Sequence, residues 1–106
     1  VLPFLDLARV GRLEFLAVEE RRYPLLGLAR RALAAGGSWP VALNAANEVA
    51  VAAFLDGTFR FGGIAGVVRR ALDGHRGGEG RTLDDILEID RAARVRALDA
   101  VRRIQR

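Results

Sequence analysis

Residues 43–55, Leu-Asn-Ala-Ala-Asn-Glu-Val-Ala-Val-Ala-Ala-Phe-Leu, constrain the fold more than any other stretch of the chain. The run is rich in helix formers, and Ala, Val, Leu and Phe occupy nearly every direction around its axis, which predicts a helix buried on most sides. Two amides and a carboxylate interrupt its first two turns. Asn44 and Glu48 lie four apart and Asn44 and Asn47 three apart, so the three side chains project from one flank. A buried polar group without a partner costs roughly 1–3 kcal/mol, so this trio needs partners. They are either internal to the domain or on something outside it.

A chain of 106 residues with 51% hydrophobic content suits one domain around one core. It begins with Val1, contains no Met, and opens on Val-Leu-Pro-Phe-Leu-Asp, which reads as a linker leading into a domain of a longer protein. No signal-peptide pattern and no apolar run long enough to span a bilayer is present, so the expected setting is cytoplasmic and away from membranes. The residue inventory excludes much chemistry. Without Cys there is no thiolate nucleophile, disulfide or zinc-finger site, and every one of the 17 basic residues is Arg, which removes Schiff-base and P-loop lysines. His75 is the sole histidine and falls in a Gly-rich stretch, a poor place to hold catalytic geometry. A net charge of +4 raises nucleic-acid binding, but the Arg residues are interspersed with Asp and Glu instead of forming a block. The charge therefore reads as compositional bias.

Residues 1–22 show an irregular apolar rhythm broken by Pro3 and Gly11, with a brief alternation at Leu13-Glu14-Phe15 that fits a short strand or extended segment. This stretch is expected to be an arm lying across the domain, anchored by its apolar residues. A first helix is expected from Tyr23-Pro24, with Leu25, Leu28, Ala29, Ala32 and Leu33 on its inner stripe and Gly36-Gly37 as its stop. Ser38 is expected to cap a second helix running to about Leu55, and the alternating Phe59 and Phe61 predict that one of them is buried. A third helix is expected over 63–72, with Gly66 allowing close approach of a neighbour, then a flexible surface loop over 73–81. Thr82 and Asp85 form a capping box opening a fourth helix whose stripe runs Leu83, Ile86, Leu87, Asp90, Ala93, Ala97, Leu98, Val101 and Ile104. Asp90 interrupts that stripe and is a second candidate for a buried polar group. The prediction is an all-α chain: a compact four-helix bundle over 23–106 with an extended arm over 1–22.

The ordered set Leu5-Asp6-Leu7, Tyr23-Pro24-Leu25, residues 43–55, Phe61 before Ile64, and Leu83-Asp84-Asp85-Ile86-Leu87 followed by Asp90 and Ala93-Arg94 resembles the C-terminal domain of 1-deoxy-D-xylulose 5-phosphate reductoisomerase. The likeness covers nearly the whole chain. It implies a non-catalytic helical domain of a larger cytoplasmic enzyme, which converts 1-deoxy-D-xylulose 5-phosphate to 2-C-methyl-D-erythritol 4-phosphate on the non-mevalonate isoprenoid route. It further implies NADPH and a divalent cation, Mg²⁺ or Mn²⁺, in a homodimeric parent. The partners of this piece are then the cofactor-binding and catalytic domains of the same enzyme. The family's catalytic, cofactor and metal residues lie in those other domains and have no counterpart here, so no catalytic, cofactor-binding or metal residue is assigned and the piece alone is expected to be inactive.

The candidate site is thus a polar network of Asn44, Asn47, Glu48 and Asp90, serving internal structure or domain docking. Asp84, Asp85, Glu88 and Asp90 also form an acidic cluster, for which the favourable field of a helix N-terminus is reason enough. Trp39, Phe59 and Phe61 mark either a patch left by a partner domain or, for Trp39, a cover over the start of the second helix. The competing reading of the whole chain is an independent Arg-rich helical adaptor for nucleic acid or an acidic partner.

Overall fold

The structure of the chain, a computed structural model, describes residues 1–105, so the last position of the expected bundle, Arg106, lies outside the described residues. Five helices occur in the order α1 (Leu7–Val10), α2 (Pro24–Ala35), α3 (Trp39–Leu55), α4 (Gly63–Asp73) and α5 (Leu83–Gln105), with no strand among the described residues. The all-α expectation holds. Helices α2 to α5 start and stop within a residue of the sequence signals at all but the open C-terminal end.

Helix α3 is central and packs against α2, α4 and α5. The core is built largely from alanine: Ala42, Ala45, Ala46 and Ala50 of α3 share one buried cluster with Ala93, Ala97 and Ala100 of α5, and Val67 and Val68 of α4 are fully enclosed in it. Helix α4 runs back along α5, since Arg96 reaches the carbonyl of Ala71 while Ile104 stands beside Gly66. A Cβ on Gly66 would meet the Ile104 side chain at 3.3 Å, the close approach its sequence position suggested. Phe59 is half-buried against the core and leaves no room for a side chain on Gly63, whereas Phe61 is exposed with its ring edge-on to Phe54 at 5.7 Å. Thr82 and Asp85 form the reciprocal capping box, with Asp85 N donating to Thr82 Oγ1 at 3.1 Å and Thr82 N donating to Asp85 Oδ2 at 3.2 Å.

Four expectations need correction. Residues 1–22 are exposed throughout and α1 packs on no other helix, so this stretch is not anchored; its apolar positions are too irregular to present one face. The radius of gyration is accordingly 17.1 Å, against about 13 Å for a compact chain of this length. On the first bundle helix, Leu33 is exposed despite its place on the expected stripe. On α5, Leu83, Ile86, Leu87 and Leu98 are exposed as well; the face that enters the core keeps Ala93, Ala97, Val101 and Ile104 of the expected stripe and adds Ile89 and Ala100, and its small side chains let neighbouring helices come near. The connection after α4 is not free of the bundle: Ser38 N donates to Gly78 O at 2.9 Å, and the hydroxyl of Ser38 bonds His75 instead of capping α3.

Candidate functional site

Three helices surround α3 and leave one strip of it facing water. Asn44, Glu48, Ala52 and Leu55, spaced at i, i+4, i+8 and i+11, all lie exposed on that strip. The expectation that the polar trio is buried is therefore corrected: Asn44 and Glu48 are exposed and Asn47 is half-buried. Partners are nonetheless found. Asn44 Nδ2 donates to Glu48 Oε1 at 3.2 Å, and Arg94 Nη2 donates to Glu48 Oε2 at 2.7 Å across the seam between α3 and α5. The same guanidinium grips Asp90 one turn earlier, Nε to Oδ2 at 2.7 Å and Nη2 to Oδ1 at 3.2 Å. Arg94 thus joins Glu48 to Asp90, with Asn44 linked to it only through Glu48, and it is the member that sequence reasoning missed. Its spacing of four from Asp90 was a legible signal; the long-range pairing with Glu48 was not.

The electrostatics follow the geometry. Hydrogen bonds from Arg94 and Asn44 hold the Glu48 carboxyl below the usual carboxylate range. The Asp90 and Glu48 carboxylates in turn raise the affinity of Arg94 for its proton. The arrangement stitches two helices at the surface.

Asn47 stands apart. Its amide makes no side-chain hydrogen bond within the described residues, and it borders a groove of about 400 Å³ between α2 and α3, with Leu25, Ala29, Pro40, Leu43 and Asn44. A second, apolar groove of about 410 Å³ lies where α2 meets the start of α4, lined by Val18, Tyr23, Leu25, Leu26, Phe61 and Ala65 among others. Trp39 is half-buried against the core and edge-on to His75 at 4.8 Å, which favours the reading as a cover at the start of α3. The acidic cluster is dispersed: Asp85 serves the capping box, Asp90 holds Arg94, and Glu88 lies 4.0 Å from Arg91. Among the described residues no three acids or histidines converge as a cation site would require, so no metal chemistry is derived from them.

The family model for the DXP reductoisomerase C-terminal domain matches residues 1–96. The chain belongs to this family. Among curated 1-deoxy-D-xylulose 5-phosphate reductoisomerases, that of Pseudomonas syringae pv. syringae (strain B728a) is 61% identical over 69 residues, 65% of this chain and 17% of the relative. That of Cupriavidus necator is 52% identical over 97 residues, covering 92% of this chain and 25% of the relative. A solved structure of the Zymomonas mobilis reductoisomerase in complex with NADPH superimposes with a TM-score of 0.84 at 38% identity, covering 92% of this chain and 26% of that one. The chain therefore spans about a quarter, or less, of the length of these relatives. Membership of this family displaces the reading as an independent Arg-rich adaptor. No described helix is long and apolar enough to cross a membrane.

Proposed function

We propose that these residues are the non-catalytic helical C-terminal domain of a 1-deoxy-D-xylulose 5-phosphate reductoisomerase, organised as an arm over 1–22 and a bundle over 23–106. The parent converts 1-deoxy-D-xylulose 5-phosphate to 2-C-methyl-D-erythritol 4-phosphate with NADPH and Mg²⁺ or Mn²⁺, as a cytoplasmic homodimer on the non-mevalonate isoprenoid route. Coverage carries this reading: nearly the whole chain aligns with relatives of that activity, yet it accounts for about a quarter of their length. NADPH and the cation are held by the other domains of the parent, and no step of the reaction falls to the residues described here. Full-length parent should oxidise NADPH in the presence of 1-deoxy-D-xylulose 5-phosphate. The 106 residues alone should not, and turnover by them would refute the assignment.

Within this reading the four polar residues divide. Glu48 and Asp90 act through Arg94 to fasten α3 to α5, and Asn44 supports Glu48 from its own helix. Asn47, with no internal partner and a groove beside it, faces the catalytic or cofactor-binding domain. Asn47→Leu should leave the melting temperature of the isolated chain unchanged while lowering activity of the full enzyme. A clear loss of stability in the isolated chain would place Asn47 in the internal network instead.

A further inference from the structure

Ser38, His75 and Arg96 meet where α4 ends and α3 begins. Ser38 is the one fully buried polar residue among those described, and its Oγ lies 2.8 Å from His75 Nε2. On the far side of the ring, Arg96 Nη2 lies 3.3 Å from His75 Nδ1, while Arg96 Nε donates to Ala71 O at 3.1 Å. A guanidinium has donors and no acceptor, so Nδ1 must accept; in the neutral ring the proton then sits on Nε2 and is donated to Ser38 Oγ. This polarity is the reverse of a nucleophile and its base. The nitrogen facing the hydroxyl is already protonated, the other nitrogen is held by a cation where a carboxylate is needed, and Ser38 is closed to solvent.

The contacts are instead those of a fastening. Ser38 N holds Gly78 O at 2.9 Å, the Trp39 ring stands edge-on to the imidazole, and a Cβ on Gly77 would lie 3.7 Å from Trp39 Nε1. Residues 75–78 are thereby pinned to the first turn of α3. A second proton on the ring would set Nδ1–H against an Arg96 N–H and a cation against the guanidinium, while Nε2–H would still face Ser38 Oγ, so it is repulsion on the Arg96 side that would drive the ring from its seat.

We infer that Ser38, His75 and Arg96 form an acid-released latch, in which the neutral Nε2–H imidazole holds the loop between α4 and α5 against α3 and protonation of His75 lets it go. Burial, and then the charge of Arg96, push the pKa of the ring below its ordinary value, in keeping with a closed state that resists the second proton. The surrounding charges are few. Helix α5 supplies Arg96, with Asp99 and Arg103 paired to one another nearby, and α4 supplies Arg70 and Asp73 on the same groove. Helix α2 brings Arg31 beside Trp39, the loop brings Arg76 and Glu79, the latter paired with Arg81, and the start of α3 brings no charge. None of the carboxylates hydrogen-bonds the ring, so none offsets the guanidinium there.

One His and one Trp in the chain make the test direct. Long-range ¹H–¹⁵N spectra of the imidazole at about pH 8 should report the Nε2–H tautomer; an Nδ1–H tautomer overturns the latch. On acidification, hydrogen-exchange protection of the Ser38 amide, corrected for the intrinsic pH dependence of exchange, should be lost along the same curve as the His75 titration, with Trp39 emission changing in step. Protection that stays constant while His75 titrates overturns the proposal. Arg96→Met removes the cation facing Nδ1 and should move the midpoint to higher pH, and an unmoved midpoint also refutes it. The first two measurements need no variant, so they decide the matter even if Arg96→Met does not fold.

Discussion

Gly37→Ala probes the junction between α2 and α3 with a single methyl group. Gly37 has φ of 53°, and a Cβ there would stand 2.6 Å from Gly78 O and 3.5 Å from Glu79 Cα. Placing a side chain in left-handed backbone costs about 1–2 kcal/mol. The carbonyl cannot retreat without lengthening its 2.9 Å bond from Ser38 N, and overpacking of this kind costs a further 1–3 kcal/mol, roughly. The two terms together predict a loss of about 2–5 kcal/mol. For a domain of this size each kcal/mol is worth roughly 4–8 °C in Tm, so the melt should move down by at least about 8 °C. Gly57→Ala supplies the comparison: φ is 77°, but nothing lies within 4 Å of its Cβ, so only the backbone cost of about 1–2 kcal/mol applies. Thermal melts followed by far-ultraviolet circular dichroism distinguish the two. If Gly37→Ala and Gly57→Ala melt together, the Gly78 carbonyl is not held where the structure puts it; a wild-type melt for Gly37→Ala removes the whole argument.

Val68→Ala removes two carbons from a fully buried site in α4, about 1.6 kcal/mol of transfer free energy, and a cavity contribution brings the total to roughly 2–3 kcal/mol, measurable by urea unfolding with unchanged m-value. Thr82→Ala deletes one half of the capping box and should cost about 1 kcal/mol, with the loss confined to the first turn of α5 in amide exchange. Stability should also depend on pH in one direction. His75 binds its proton less readily in the folded chain than the ordinary 6.5, so the unfolded state takes up more protons on acidification. Stability is then greatest above about pH 6.5 and falls as the pH drops through the lower folded value. Glu48 acts in the same direction further down, its contribution present above the ordinary 4.5 and lost as pH falls through its lowered value. Urea midpoints between about pH 8 and about pH 5 should show the first of these losses, and His75→Gln should remove it.

The helices were legible because their boundaries are local chemistry: Pro24, Pro40, the Gly36-Gly37 stop and the Thr82–Asp85 box each act within one turn. The face of α5 was not. Periodicity ranks Leu above Ala as core, whereas close approach of two helices selects Ala, so Leu83, Leu87 and Leu98 were assigned inward and Ala100 was overlooked. At the candidate site, the spacing of Asn44 and Glu48 placed them together correctly, but their exposure depended on how many neighbours α3 has, which no local pattern encodes. His75 shows the same limit from the other side. A glycine-rich surrounding suggested mobility, and only the distant residues Ser38 and Arg96 make its position definite.

The alanine-rich core shared by α3 and α5 carries a mechanical implication. Alanine has no side-chain torsion to freeze on burial, so the alanine positions forfeit no rotamer freedom and have none with which to readjust. Larger residues could hop between conformers and absorb a push; methyl groups can only transmit it. The two long helices should therefore tend to move together, with less of a push absorbed by side-chain rearrangement than larger core residues would allow.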